Sequence, residues 1–151
     1  MIRTGWMACL VMAAAARGNE IPKGAAEAFE KATEFDLYSL DPGADGVKGG
    51  FHGWKVLGKT SLKGDDVKKV RDAVEKGRKE SDGTQAKCFE PRHGIRIVQE
   101  KKTYDLVICY TCFSADVFEG ETRLGGFLTT RGPAEFLNKV LKDAKVPLAG
   151  E

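Results

Sequence analysis

A pair of strand-like segments joined by a very short turn places the tightest constraint on how this chain folds. Residues 94–99 and 104–112 are both largely apolar, and a short polar turn at 100–101 separates them. The two segments must pair so that their apolar side chains share one face, because a slip by one residue would split that set. The residues that share the face are Ile95, Ile97, Leu106 and Ile108. The turn therefore predicts a hairpin with one definite register.

The predicted register also brings reactive and charged side chains to definite places. Arg96 falls directly opposite Asp105, which is a favourable cross-strand pair. His93 and Cys112 fall at the same end of the hairpin, with Cys88 beside them.

Further strands and helices are predicted around this hairpin. Strand-like runs occur at residues 35–40, 54–60 and about 122–130. Apolar residues at helical spacing predict two main helices, one that opens at 64–65 and one at 132–133, and a shorter helix at 25–32. We predict an α+β fold, with an antiparallel or mixed sheet of about five strands and the two main helices packed on one face.

The first residues have the pattern of an export signal. Residues 1–16 combine Arg3 with an apolar run and four alanines, as in a short secretory signal peptide. The run is shorter than the roughly 20 residues that a membrane-spanning helix needs. A mobile or buried N-terminal helix is the second interpretation, and a lipid anchor on Cys9 is a weaker one. Cleavage near Ala16 would remove Cys9 and leave three cysteines in an exported protein, periplasmic or secreted.

The charge and the length of the chain limit which partners it can bind and how many domains it can form. The 24 basic and 22 acidic residues give a formal net charge of +2, and they alternate rather than form a basic stripe. This pattern argues against nucleic acid as a partner. After the signal peptide we predict a short helix and linker at 17–33 and a single α+β domain at 34–148.

Three cysteines and a histidine form the one cluster with chemistry of its own. The residues are Cys88, His93, Cys109 and Cys112. Three thiolates and one imidazole match a tetrahedral zinc site or a soft copper(I) site. Metal binding through these four residues is therefore the second functional hypothesis.

A disulfide is the favoured interpretation of the cysteines, because neighbouring thiols in an exported protein usually oxidise. In an extended strand, Cys109 and Cys112 would lie about 10 Å apart, whereas a disulfide needs Cα atoms roughly 4.4–6.8 Å apart. We therefore predict a bond from Cys88 to Cys112 or to Cys109, unless the strand bulges at 110–111. A redox site of the thioredoxin kind needs its cysteines at a helix N-terminus, so a thiol-dependent redox enzyme ranks third.

No motif for nucleotide binding or hydrolysis occurs, and no catalytic residue is predicted. Phe51, His52 and Trp54 flank a glycine-rich loop, and core packing is the expected fate of such aromatic residues. The leading functional hypothesis is a non-enzymatic binding or structural module that the cysteine cluster stabilises.

Two segments carry a resemblance to a group of proteins. Residues 88–95 read Cys-Phe-Glu-Pro-Arg-His-Gly-Ile, and residues 105–112 end in Cys-Tyr-Thr-Cys. These segments resemble those of a group of uncharacterised exported bacterial proteins, and the similarity extends to residues 39–42 and 54–58. The resemblance implies a small exported domain and brings no activity, cofactor or catalytic residue.

Overall fold

The structure is a computed structural model that describes residues 18–150. It contains a six-stranded sheet and three helices, which confirms the α+β class with one strand more than expected. In chain order the elements are α1 (Lys23–Lys31), β1 (Glu34–Asp41), β2 (Lys55–Lys63), α2 (Asp65–Lys79), β3 (His93–Gln99), β4 (Lys102–Cys109), β5 (Ser114–Glu119), β6 (Thr122–Leu128) and α3 (Pro133–Asp143). The predicted signal peptide lies outside the described residues.

The sheet is antiparallel throughout, in the order β2-β1-β3-β4-β5-β6. The hairpin of β3 and β4 has the predicted register, with Arg96 opposite Asp105. Its turn residues Glu100 and Lys101 have φ angles of 48° and 66°. Two consecutive left-handed residues form the turn type that matches the twist of paired strands.

The strand that the sequence did not predict is β5. The predicted fourth strand runs to residue 112, but β4 ends at Cys109 and the chain turns back within the next four residues. Phe113, with a φ of 57°, completes this turn. The segment then returns as β5, antiparallel to β4. Apolar residues continue through the turn, so hydrophobicity alone did not mark where the strand ends.

One face of the sheet carries the main core. Buried residues of all three helices join the inward side chains of the strands in a single cluster. Helix α1 contributes Ala25, Ala28 and Phe29, so the segment predicted as a short helix and linker belongs to this core. No helix among residues 18–150 is long and apolar enough to cross a membrane.

Helices α2 and α3 approach closely at a buried glycine. A Cβ atom on Gly77 would lie 2.5 Å from Cγ of Pro133 and 2.7 Å from Oγ1 of Thr129. The backbone N–H of Thr130 also donates to the Gly77 carbonyl at 3.0 Å. The absence of a side chain at Gly77 is therefore what lets the start of α3 pack against the end of α2.

We expect Gly77→Ala to lower the free energy of unfolding by about 1 kcal/mol. Overpacking costs about 1–3 kcal/mol, which exceeds the gain of about 1 kcal/mol from better helix propensity. Urea denaturation measures the difference. Gly132→Ala is the control, because a Cβ there would make only an ordinary contact of 3.5 Å with Oγ1 of Thr130. A Gly77→Ala protein as stable as the parent would contradict this account of the helix contact.

The second face of the sheet is covered in part by the loop of residues 42–54. A smaller cluster of Tyr38, Leu40, Phe51 and Val107 lies there. Phe51 is buried, as expected of this aromatic residue, and it packs over Gly94, where a Cβ would lie only 2.6 Å from Cε1 of Phe51. The loop thus closes over the sheet because β3 has a glycine at that point.

Candidate functional site

The cysteines meet where β4 ends. Cys109 is the last residue of β4, and the turn that follows brings its Cα atom to 5.2 Å from that of Cys112. The two residues form a disulfide, and both are fully buried.

Neither predicted bond from Cys88 is present in the structure, because the disulfide joins Cys109 to Cys112. The estimate of about 10 Å for three residues applies to extended chain, and the chain is extended only as far as Cys109. The tight turn that follows removes the geometric objection to a direct bond. The predicted proximity of Cys88 to Cys112 is nevertheless found.

Cys88 lies against the disulfide and remains open to solvent. Its Sγ atom is 3.3 Å from Sγ of Cys112, and the residue is exposed. The segment that carries it is held in place by the backbone N–H of Ala86, which donates to the Cys112 carbonyl at 3.1 Å. An accessible thiol therefore touches a disulfide that solvent does not reach.

The sulfur of Cys109 is surrounded by hydrogen-bond donors. The backbone N–H groups of Glu90 and Cys112 point to it at 3.4 Å and 3.2 Å, and the hydroxyl of Thr111 lies 3.3 Å away. Donors of this kind stabilise a thiolate more than a neutral thiol. If the disulfide opened, these three donors would stabilise a thiolate at Cys109.

His93 does not join the cysteines. Strand alternation places it on the face of Ile95, whereas Cys109 shares a face with Val107 in the smaller cluster. Its Nε2 atom lies 2.8 Å from Oδ1 of Asn138, and burial lowers the pKa of His93 to about 4.

The metal-site hypothesis gains no support from this arrangement. Within residues 18–150, no group of three or more histidine, cysteine, aspartate or glutamate side chains is placed to hold a metal ion. A zinc or copper site formed by Cys88, His93, Cys109 and Cys112 would need the sheet to bring its two faces together. It stays a prediction from the sequence alone.

A buried ionic cluster on the second face joins Arg96, Asp105 and His52, and the sequence predicted only the pair of Arg96 and Asp105. The guanidinium of Arg96 donates to both carboxylate oxygens of Asp105, at 2.8 Å and 2.7 Å, as the register implies. The sequence did not reveal that Nε2 of His52 lies 2.6 Å from Oδ2 of Asp105. Burial alone would raise the pKa of Asp105, but the hydrogen bonds from Arg96 and His52 outweigh it and hold that pKa below its ordinary value.

This cluster holds the loop of residues 42–54 against the sheet. The ring of His52 stacks on that of Phe118, with 3.8 Å between centroids. The side chains of His52 and Asp105 are 5% and 1% exposed, so neither is open to a substrate. Asp105 and His52 are 53 residues apart, and no local pattern in the sequence links them.

Comparisons of the chain with protein-family models, with curated proteins and with solved structures found no match. The resemblance to uncharacterised exported bacterial proteins therefore stays a prediction.

Proposed function

We propose that this protein performs thiol–disulfide exchange, with Cys88 as the accessible sulfur and Cys109–Cys112 as the disulfide. The observation that carries the proposal is the 3.3 Å contact between Sγ of exposed Cys88 and Sγ of buried Cys112. Exchange proceeds by attack of a thiolate on a disulfide sulfur. A nucleophile and its target are thus already in contact.

The first step is internal to the protein. The Cys88 thiolate attacks Sγ of Cys112, a Cys88–Cys112 bond forms, and the Cys109–Cys112 bond breaks. The electron pair of the broken bond passes to Sγ of Cys109. The N–H groups of Glu90 and Cys112 and the hydroxyl of Thr111 stabilise this leaving thiolate, and a better-stabilised thiolate leaves faster.

The next steps involve thiols from outside. An external thiol attacks the exposed sulfur of Cys88, which forms a mixed disulfide and releases Cys112 as a thiol. A second external thiol then attacks the sulfur of the first, and Cys88 is released. Overall, two external thiols become one disulfide and the protein disulfide becomes two thiols. External thiols therefore exchange with the buried disulfide through Cys88, because solvent does not reach that disulfide directly.

The non-enzymatic module that the sequence favoured is the second candidate. This candidate is supported by the fully buried disulfide, which cross-links the turn between β4 and β5. A purely structural bond has no use for Cys88, whereas an exchanging bond depends on it. Export to an oxidising compartment, which is part of our proposal, is compatible with both candidates.

We expect Cys88→Ser to slow reduction of the disulfide by dithiothreitol at least about tenfold, equivalent to about 1.4 kcal/mol in the barrier. Without Cys88, the reductant reaches the buried bond only when the turn opens locally. The measurement is quenched alkylation at timed intervals, followed by mass spectrometry. Lys87→Ser is the control, since it changes the exposed neighbouring residue and leaves all three sulfurs in place. If the disulfide were reduced at equal rates in the parent and in Cys88→Ser, the Cys109–Cys112 bond would have a structural role alone.

A trapping variant tests the same contact without kinetics. Cys109→Ser keeps Cys88 and Cys112, and in glutathione buffer at an oxidising ratio these two should form a disulfide that peptide mapping identifies. Two free thiols in the folded Cys109→Ser protein would show that Cys88 does not reach Cys112, and the exchange mechanism would then fail.

A further inference from the structure

A small cavity lies at the end of β1, away from the cysteines. Its volume is about 120 Å³, room for more than one water molecule. The segment before β3, helix α3 and the C-terminal residues complete its wall. The lining residues are Ser39, Arg92, Asn138, Lys142, Leu148 and Ala149.

We propose that this cavity binds a tetrahedral oxyanion, with inorganic phosphate as the simplest member. Arg92 and Lys142 each supply a positive charge, and Ser39 and Asn138 supply neutral polar groups. None of the described residues that line the cavity is acidic. Charged donors from different chain segments, converging with a hydroxyl and an amide, are the groups that proteins use to hold phosphate oxygens.

Two of the side chains that line the cavity, those of Arg92 and Asn138, are oriented by other contacts. Nη1 of Arg92 donates to the Ala149 carbonyl at 2.9 Å, which positions a guanidinium that has four further N–H donors. The neutral ring of His93 donates from Nε2 to Oδ1 of Asn138 at 2.8 Å. With its oxygen engaged, Asn138 has both hydrogens of its amide nitrogen left to donate.

Buried His93 is thus a positioning residue for the cavity. The Nε2–H group of His93 engages the oxygen of Asn138 and so leaves the amide nitrogen of Asn138 to donate to a ligand. The cavity uses no cysteine, so the oxyanion site and the exchange reaction can succeed or fail independently.

The test is a titration of ¹⁵N-labelled protein with sodium phosphate, at constant ionic strength maintained with sodium chloride. We expect saturable shifts of the Asn138 side-chain amide and the Arg92 Nε–H signal. Arg92→Gln and Lys142→Gln should each weaken binding about tenfold, because each removes a charged hydrogen-bond donor. Both residues are on the surface, and a melting curve checks that the variants fold.

Lys139→Gln is the matched control. It removes the same charge from the same helix, but Lys139 pairs with Asp143 and does not line the cavity. Phosphate affinity that is unchanged in Lys139→Gln and reduced in the other two variants supports the site. Chemical shifts that do not saturate, or an equal loss of phosphate affinity in all three variants, would mean that surface charge attracts phosphate in general. Either result would overturn the proposed site. A sulfate titration shows whether the site takes tetrahedral oxyanions as a class or phosphate alone.

Discussion

Replacing Asp105 with alanine should lower the free energy of unfolding by about 3 kcal/mol. Removal of one partner from a buried ion pair typically costs about 3–5 kcal/mol, because the other charge is left uncompensated. The lower end applies here, since Arg96 is 37% exposed and water can solvate part of its charge. His52 would also lose its partner while its side chain is only 5% exposed. Urea denaturation measures the loss.

The same substitution should loosen the loop of residues 42–54. His52 is the residue of that loop that bonds to Asp105, so amide exchange around His52 should accelerate more than exchange in the core strands. Asp116→Ala is the matched control, because Arg123 also donates twice to that carboxylate on the neighbouring strand, but at a more exposed position. We expect it to cost no more than about 1 kcal/mol. Similar losses in the two variants would mean that Asp105 does not organise the loop.

Acidification should destabilise the protein through His93. Its pKa is about 4 in the folded protein, against an ordinary value of 6.5. Between these pH values the unfolded chain binds a proton that the folded chain does not. The contribution of neutral His93 to the free energy of unfolding is therefore fully present above about pH 6.5 and is lost as the pH drops toward 4. The pKa difference corresponds to about 3 kcal/mol. The physical cause is burial of an imidazole that has no room for a hydration shell.

The measurement is the free energy of unfolding from urea titrations between pH 7.5 and 4, for the parent and for His93→Gln. Glutamine has an amide that can contact Asn138, but it does not titrate. The parent should lose about 3 kcal/mol more than the variant over this range, and the comparison cancels the carboxylates common to both. Two parallel pH profiles would show that His93 becomes protonated without penalty.

The hairpin of β3 and β4 shows how much of this fold can be predicted from the sequence. Its register followed from the need to gather apolar side chains on one face, and that requirement tolerates no slip. The pair of Arg96 and Asp105 followed from the same register. Helix α2 was predictable for a similar reason, since Val67, Val70 and Val74 recur at helical spacing and are buried.

The sequence predicted which cysteines lie close together, but it did not predict which two of them form the disulfide. The approach of Cys88 to Cys112 followed from the hairpin, but the choice of disulfide depended on where β4 stops. That end is set by a turn in which Thr111 is the one polar residue among Tyr110, Cys112 and Phe113, too weak a signal to mark the end of a strand. An unforeseen turn both creates the Cys109–Cys112 bond and starts β5.

Alternation and spacing in the sequence by themselves determined the α+β class, the hairpin register and the group of residues around Cys88. These depend on contacts between neighbours along the chain or across one short turn. Only the tertiary structure decided that Cys109 bonds to Cys112 and that His52 completes the Asp105 cluster. Each of these depends on how a loop or turn returns to the sheet, and the free energy that selects such a path comes from packing of distant residues.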